Sequence, residues 1–450
     1  MKITNKLYMF VFAIGFLSIT SCELEGGESL NGASTSSIAD DLSRGELPQA
    51  VSGVLSDMRS RLNTQIDVQS IFGREYYYFT SSDPRFEGDV VTGVLDNNTF
   101  YTTGPWSSRY AAIKDINLAL EGLANTTADF STEEVSSIRG VLNTLKAHEL
   151  LSVSNNQYTN GIRLDVSDSD NLGAFVTYEE ALTGINDLLV TAASDIATAG
   201  GLELPDLFPL SSGFNDLRKA DPVTLKLLPI TASDFLEFNK ALSARVEAYR
   251  GNYSNVLSLL NDSFMDFTST LGKGIYHTFS LSGADQANPL FIALNQEANV
   301  RVAHASYTAD ALANDSRVDK VVLREEPREA SGLVGTHDVW LYQSNEDAIP
   351  MMRNEELILL FAEANMISNP SESKRAIDIV RIAAGLGAYA GALTAAALED
   401  EILFQRRYSL FGEGHRWIDM RRFSRISELP NDRAGDNVPD AVPVPANENQ

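Results

Sequence analysis

The sequence predicts a mostly α-helical protein in which paired helices form a scaffold and pack against an irregular, loop-rich subregion. Three observations support this class. Apolar residues recur at helical spacing over most of the chain, capping boxes mark helix starts, and two long stretches, about 72–105 and 268–343, fit no helix. Hydrophobic residues make up 44% of the 450 residues, which is typical of a globular chain.

The N-terminus predicts a lipoprotein signal peptide over residues 1–21. Lys2 and Lys6 precede an apolar run of 13 residues, which is shorter than the roughly 20 that a membrane-spanning helix needs. Small residues then lead to Cys22, the only cysteine of the chain. Cleavage before Cys22 would leave an acylated N-terminus, and several acyl chains together anchor a protein stably. The alternative is an ordinary secretory signal followed by an incidental cysteine.

The residues after the leader predict a tether and one folded domain. Residues 22–37 are acidic and then rich in Gly, Ser and Asn, without hydrophobic periodicity, so we expect a flexible acylated tether. Residues 38–450 are expected to form a single domain. With one cysteine, the chain has no internal disulfide, and its stability must come from burial and hydrogen bonds.

The charge balance excludes one class of partner. The chain carries 61 acidic and 35 basic side chains, a formal net charge of −26 at pH 7. This surplus would repel the phosphate backbone of a nucleic acid, so we expect no nucleic-acid partner. Membrane attachment must likewise come from the lipid anchor rather than from a basic surface.

The helices can be placed from periodicity and start signals. Ser131 with Glu134 and Thr177 with Glu180 form capping boxes, in which each side chain bonds the backbone amide of the other residue. Helices joined by short turns are typical of tetratricopeptide-like pairs, although no fixed 34-residue period is present. The predicted helices are 39–61, 106–123, one from 131, 177–199, 233–249, one from 253, 350–366, 371–384, 393–410 and 414–423.

The C-terminal hundred residues carry specific motifs. Residues 349–365 read IPMMRNEELILLFAEAN, residues 376–386 read AIDIVRIAAGL, and residues 406–422 read RRYSLFGEGHRWIDMRR. With the closing VPVP at 442–445 and Glu448, these resemble the SusD/RagB family of outer-membrane nutrient-binding lipoproteins. The departures from the family pattern are Asp378, Ala383, Gln405 and Ser409.

The resemblance implies a fold and a function. The fold would be a tetratricopeptide-like helix-pair scaffold packed against an irregular ligand-binding subregion, with a helical part at about 350–450. The function would be that of a surface glycan-binding lipoprotein. Such a protein is lipid-anchored in the outer membrane, faces the exterior, and delivers oligosaccharide to a SusC-like TonB-dependent transporter without catalysis. A RagB-like branch that binds peptides is the alternative within the family, and no cofactor is implied.

The two irregular stretches supply the candidate ligand-binding residues. Aromatic faces beside hydrogen-bonding groups suit a sugar, whose ring has an apolar face and a polar edge. The alternative for each aromatic residue is a strand position that points into the core. The candidates in the first stretch are Arg74, Tyr76, Tyr77, Tyr78, Asp83, Arg85, Phe86 and Tyr101, and those in the second are Tyr276, His277, Asn288 and Trp340.

No catalytic or metal site is predicted. The five histidines are scattered, without an H-E-x-x-H pair or a second cysteine. Leu172 stands where a calcium loop around Asp165 and Asp168 would need an oxygen ligand, so a solvated turn is expected. The C-terminal Arg/Glu/Trp box is expected to be structural, with Glu363 and Glu413 paired to arginines. A surface glycoside hydrolase and a helical protein-binding scaffold remain the alternatives outside the family's ligand capture.

Overall fold

The computed structural model describes residues 35–168, 170–283 and 285–449. Cys22, the predicted leader and residues 22–34 of the predicted tether lie outside these ranges. The helices are α1 Thr35–Asp40, α2 Leu47–Asp57, α3 Leu62–Phe72, α4 Phe100–Asn125, α5 Thr132–Gln157, α6 Tyr178–Ala199, α7 Ala232–Tyr249, α8 Tyr253–Asn261, α9 Ala305–Ala309, α10 Asn354–Asn365, α11 Pro370–Ala383, α12 Ala395–Ser409 and α13 Arg416–Arg422. The strands are β1 Tyr76–Thr80, β2 Ile162–Arg163, β3 Phe175–Val176, β4 Gly274–His277, β5 Asn299–Ala303, β6 Val321–Ala330, β7 Leu333–Val339 and β8 Ile349–Arg353.

The long helices α4 to α8 pack successively against their neighbours and bury the largest part of the core. The predicted capping boxes at Ser131 and Thr177 are confirmed, and each caps the helix that follows it. A third box, Thr231 with Asp234, starts α7 one residue earlier than predicted. The mostly helical, tetratricopeptide-like class is therefore confirmed.

The helix boundaries correct the sequence interpretation in three places. The predicted helix 39–61 is two helices, because the chain breaks at 41–46 and Pro48 lies in the first turn of α2, where its missing amide costs nothing. Residues 350–353 belong to strand β8 rather than to a helix, since they pair with β4. Helix α3 was not predicted; all but one of its residues are buried, so it has no polar face to give a helical pattern.

The two irregular stretches meet in one sheet with strand order β1-β5-β7-β6. Strand β1 from the first stretch pairs antiparallel with β5 from the second, with Tyr76 opposite Ala303 and Tyr78 opposite Arg301. Strands β4 and β8 form a separate two-stranded ladder. The irregular subregion is thus a small β layer beside the helices.

The C-terminal box is structural, as expected. Arg422 pairs with Glu363 at 2.5 Å and Arg353 pairs with Glu413 at 2.8 Å, and these four side chains are largely buried. Trp417 is fully buried and packs on Phe72, with 5.1 Å between ring centroids. Paired charges of this kind satisfy one another across the helix packing.

Candidate functional site

The tyrosines of β1 lie in the core instead of facing a ligand. Tyr76 and Tyr77 are 1% and 4% exposed, and they point to opposite sides of the strand. The Tyr76 hydroxyl donates to Asp67 at 2.8 Å, and its ring packs on Phe411. The Tyr77 hydroxyl donates to Asp432. The expectation that these two rings form exposed stacking platforms is therefore wrong, because both faces of β1 are covered.

Arg74, Phe86 and Tyr101 are also buried, so the structure contradicts their prediction as ligand contacts. The Tyr101 hydroxyl donates to Asp89 at 2.8 Å and accepts from the Asp96 amide at 2.9 Å. Phe86 fills the space between the rings of Tyr78 and Phe100. Arg74 holds the surrounding loops together by donating to the carbonyl oxygens of Ile71, Val91, Pro430 and Asn437.

Only the edge of the first stretch reaches solvent. Asp83 and Arg85 form a two-point ion pair, with distances of 2.7 and 2.6 Å. The Arg85 guanidinium lies 4.8 Å over the half-buried ring of Phe100. Tyr78 is half-buried beneath the guanidinium of Arg301, at 4.6 Å. These groups form a small polar edge rather than a cleft.

The candidates of the second stretch divide between two places. Tyr276 and His277 line a cleft of about 220 Å³, although His277 is itself buried and burial holds its pKa well below the usual value. Asn288 is buried and fixes its own loop by donating to the Asp347 carbonyl at 2.7 Å, so its prediction as a ligand contact is contradicted. Trp340 is half-buried against Phe291. The structure therefore does not gather the twelve predicted residues into one site.

A cleft of about 540 Å³, within the range typical of ligand sites, runs along α4. Its other lining residues lie at 163–168, at Leu172 and at Glu448 near the C-terminus. The α4 wall consists of side chains three or four residues apart, which therefore share one helix face. They are Trp106, Tyr110, Lys114, Asn117, Leu118 and Glu121.

An aromatic group forms one end of this cleft. The rings of Trp106 and Tyr110 lie 4.7 Å apart, and Phe175 stacks on Trp106 at 6.1 Å with 15° between the ring planes. The Arg163 guanidinium lies 4.3 Å over Phe175. Trp106 is 5% exposed and its indole Nε1 donates to Glu448 at 3.2 Å. Trp106 therefore supports the half-buried Tyr110, whose ring lines the cleft.

Hydrogen bonds fix the orientation of the Tyr110 ring. Its hydroxyl donates to the carbonyl of Arg163 at 2.8 Å and accepts from the amide of the same residue at 3.0 Å. Burial raises the pKa of Tyr110, so this phenol is neutral at physiological pH. The ring is held in place and needs no ordering when a ligand binds.

Polar groups of both signs surround the aromatic end. Lys114, Glu121 and Asp168 are exposed around the cleft. Behind them, Lys146 donates to Asn117 Oδ1 at 2.7 Å, and because an ammonium can only donate, this contact fixes which way the amide faces. Burial lowers the pKa of Lys146. The cleft thus offers fixed donors and acceptors beside ring surface, an arrangement that can bind a polyhydroxylated ligand.

The acidic loop beside the cleft uses its carboxylates internally. Asp165 accepts from the amide and hydroxyl of Ser167 at 3.1 and 2.6 Å, and Asp168 accepts from the Asp170 amide at 2.9 Å. The first contacts lower the pKa of Asp165. Within residues 35–168, 170–283 and 285–449, no three His, Cys, Asp or Glu side chains are close enough to hold a metal ion.

Comparison with known proteins supports the resemblance over the C-terminal part of the chain. Residues 299–443 match the model of the SusD family, and these include most of the C-terminal motifs quoted above. This part of the chain is therefore SusD-like. None of the curated proteins matches it.

Solved structures share the fold of this chain over most of its length. A SusD superfamily protein from Bacteroides vulgatus ATCC 8482 is 16% identical, with a TM-score of 0.65, over 88% of this chain and 91% of its own. One from Parabacteroides distasonis ATCC 8503 is 15% identical, with a TM-score of 0.64, over 89% and 96%. Surface glycan-binding protein A from Bacteroides thetaiotaomicron, in complex with laminarihexaose, is 14% identical, with a TM-score of 0.65, over 90% and 97%.

Sequence reasoning missed the cleft although half of its signal was present. Trp106 and Tyr110 belong to a predicted helix and Asp168 to a predicted turn, and none of the three was predicted to contact a ligand. The aromatic and charged residues at 106, 110, 114 and 121 do follow one helix face, and that mixed face could have indicated a site. The opposite wall comes from residues distant in sequence, which no local pattern reveals.

Proposed function

We propose that this SusD-like protein captures a glycan in the cleft along α4 without cleaving it. We further propose that it does so as a lipoprotein anchored through Cys22 on the outside of the outer membrane, and that it passes the glycan to a SusC-like TonB-dependent transporter. The observation that carries the proposal is the cleft of about 540 Å³, with the Trp106 and Tyr110 rings at one end and charged side chains along its length. The bound laminarihexaose of a protein with the same fold supports glycan as the ligand class.

The physical reason is the match between the cleft and a pyranose. A sugar ring can lay its C–H face on Tyr110, while its hydroxyls bond Glu121, Asp168 and Lys114. Burying about 100 Å² of apolar surface contributes roughly 2.5 kcal/mol, and each hydrogen bond to a charged group adds about 1.5–3 kcal/mol. After the cost of ordering the ligand, a few such contacts give micromolar to millimolar affinity.

The carboxylates of the cleft favour binding over hydrolysis. Glycoside cleavage requires one carboxylic acid and one carboxylate placed on either side of the scissile bond. Glu448 accepts from the Trp106 indole at 3.2 Å and lies 3.6 Å from the Arg163 guanidinium, so this carboxylate is engaged by protein groups.

The direct test is a binding screen of residues 23–450 against neutral and acidic polysaccharides, with laminarihexaose as the first defined probe. Isothermal titration would measure affinity for the wild type and for Glu121→Gln, Asp168→Asn and Lys114→Ala, which change exposed side chains. We expect each cleft variant to bind at least about tenfold more weakly, from the loss of one charge-assisted hydrogen bond. Asp83→Asn is the control, because it changes a partly exposed acid outside the cleft.

Three results would contradict the proposal in different ways. Weaker binding for Asp83→Asn, with the cleft variants unchanged, would move the ligand to the edge of the first irregular stretch. Binding of cationic peptides but of no polysaccharide would favour the RagB-like alternative, since the acidic surface attracts cations. Release of reducing ends that Glu121→Gln abolishes would make the protein a glycoside hydrolase.

A further inference from the structure

An exposed apolar hairpin lies between α6 and α7 and belongs to no part of the glycan site. In this segment, the 218–228 hairpin, Ala220 pairs antiparallel with Leu227. Val223 is 87% exposed and Leu225 is 77% exposed, and both lie at the tip. Leu227 and Leu228 add further exposed apolar surface. Such a group of large apolar side chains on a projecting turn indicates a contact surface.

Hydrogen bonds hold the hairpin in this exposed form. Asp221 Oδ1 accepts from the amides of Val223 and Thr224 at 2.9 and 2.6 Å and so fixes the turn. At the base, Arg218 donates to the carbonyls of Leu227 and Leu228 at 3.0 and 2.7 Å. These hydrogen bonds therefore fix the conformation in which the apolar tip is exposed.

The hairpin is also basic in a strongly acidic protein. The hairpin contains three basic residues, Arg218, Lys219 and Lys226, and one acidic residue, Asp221. The whole chain, in contrast, has a net charge of −26. Lys219 is paired with Glu237 at 2.6 Å, which leaves Arg218 at the base and Lys226 next to Leu225 as the cationic groups of the hairpin. Cations flanking exposed apolar side chains are the chemistry that binds an anionic lipid interface.

The topology places this hairpin at the same end of the helix layer as the N-terminus. The Ile38 carbonyl approaches Gly122, near the end of α4, and the Asn125 side chain donates to the Ala39 carbonyl. That end is also where α5 starts, because Asn125 and Thr132 are joined by a short connection.

Because α5, α6 and α7 pack antiparallel, the start of α5, the end of α6 and the start of α7 lie at the same end of the helix layer. Arg139, near the start of α5, pairs with Asp195, near the end of α6. The Gly200 carbonyl, just after α6, accepts from the amide of Ser233 at the start of α7 at 2.9 Å. The hairpin lies within the 200–231 connection between these two helix ends, and Lys219 at its base pairs with Glu237 in the second turn of α7, which places the hairpin near the level of α1.

We propose that the 218–228 hairpin inserts its apolar tip into the lipid surface beside the acyl anchor. Twelve residues separate Cys22 from Thr35, and that length reaches at most about 45 Å when fully extended, so the anchored end of the body can lie against the bilayer. The tip is convex and has four large apolar side chains, whereas a stable protein interface uses about 20–30 residues on each side. A deformable lipid phase suits such a tip better than a protein surface does. The anchor is part of the proposed function, but the contact made by the hairpin is independent of glycan binding.

Because Cys22 is the only cysteine of the chain, a single label can be placed at a chosen position. Residues 23–450 contain no thiol, so Thr224→Cys carries a single nitrobenzoxadiazole label at the tip, and Asn98→Cys carries one at the opposite end of α4. Each labelled protein is titrated with vesicles of phosphatidylcholine, with and without phosphatidylglycerol. The acylated full chain is measured in parallel, where acylation blocks Cys22. We expect the emission of the label at position 224 to rise at least twofold and that at 98 to stay constant.

Further variants separate the apolar and charged contributions. Val223→Ser with Leu225→Ser, in the Thr224→Cys background, should abolish the response, while Val94→Ser, at a site 73% exposed elsewhere, should leave it intact. Lys226→Glu should weaken the response to anionic vesicles about tenfold or more and spare neutral ones.

An unchanged signal at position 224 with both vesicle types and both protein forms would overturn the proposal. So would an equal response from the label at 98. A signal at 224 that requires an added membrane protein would make the hairpin a protein-docking element instead. Laminarihexaose binding measured on the same samples reports separately on the proposed function, because the hairpin variants leave the cleft unchanged.

Discussion

Replacing Tyr77 by alanine distinguishes a core role from a ligand role for the aromatic stretch. The ring is 4% exposed, stacks on Phe79 with 9° between the ring planes, and meets His304 edge-on. Truncating a buried aromatic to alanine costs about 3–5 kcal/mol from lost transfer energy and the cavity left behind. The change also removes the hydroxyl that donates to Asp432 and leaves His304 Nε2, at 3.1 Å, as that carboxylate's neighbour. We therefore expect a total loss of about 4–6 kcal/mol.

The assay is urea unfolding followed by circular dichroism, together with laminarihexaose titration of the folded fraction. Tyr77→Phe is the matched control. It keeps the ring and removes only the hydrogen bond to Asp432, so it should cost about 1–3 kcal/mol. Affinity should be unchanged in both variants. If Tyr77→Ala kept its stability while losing affinity at least tenfold, the ring would have to face the ligand and the burial argument would be wrong.

Two other predictions test the packing. Burial raises the pKa of Glu75 from its usual value of 4.5 to about 7, so between these two pH values the folded protein holds a proton that the unfolded chain releases. This contribution is fully present below pH 4.5 and is lost as the pH rises through 7, which lowers the free energy of unfolding by about 3 kcal/mol by pH 8. Glu75→Gln should remove this decrease of the free energy of unfolding with pH, which urea unfolding between pH 5 and 8 would measure. An equal decrease in both proteins would show that Glu75 is not its source. Gly140→Ala would place a Cβ 2.5 Å from the Ile196 side chain and should cost about 1–3 kcal/mol, whereas Gly53→Ala meets nothing within 4 Å and should stabilise α2 by up to about 1 kcal/mol. Thermal unfolding of the pair would decide, and equal shifts would contradict the close packing of α5 on α6.

Local signals account for the parts of the fold that the sequence predicted well. Helices α5 and α6 start directly after their predicted caps, because a capping box involves only four consecutive residues. Strand β8 was mistaken for the start of a helix, since its partner β4 lies more than 70 residues earlier. The pairing is long-range, and the apolar run of 349–353 alone fits either structure.

The difference between local and long-range signals also explains why the ligand contacts were predicted wrongly. The β1 tyrosines looked like ring platforms because nothing in 72–105 shows what covers them. Tyr76 is covered by Phe411 and Tyr77 by His304, and both partners come from distant parts of the chain. One wall of the cleft can be predicted from helical spacing along α4. The opposite side of the cleft depends on Arg163 and on Glu448 near the C-terminus, which are distant in sequence.

Helix α4 links the two proposed surfaces. At its C-terminal end, Gly122 lets α1 approach closely, since a Cβ there would lie 1.7 Å from the Ile38 carbonyl oxygen. At the other end, Trp106 supports the aromatic part of the cleft. The 19 residues from Trp106 to Asn125 span about 28 Å at the α-helical rise. Under the proposed anchoring through Cys22, this helix would set the height of the aromatic end of the cleft above the lipid.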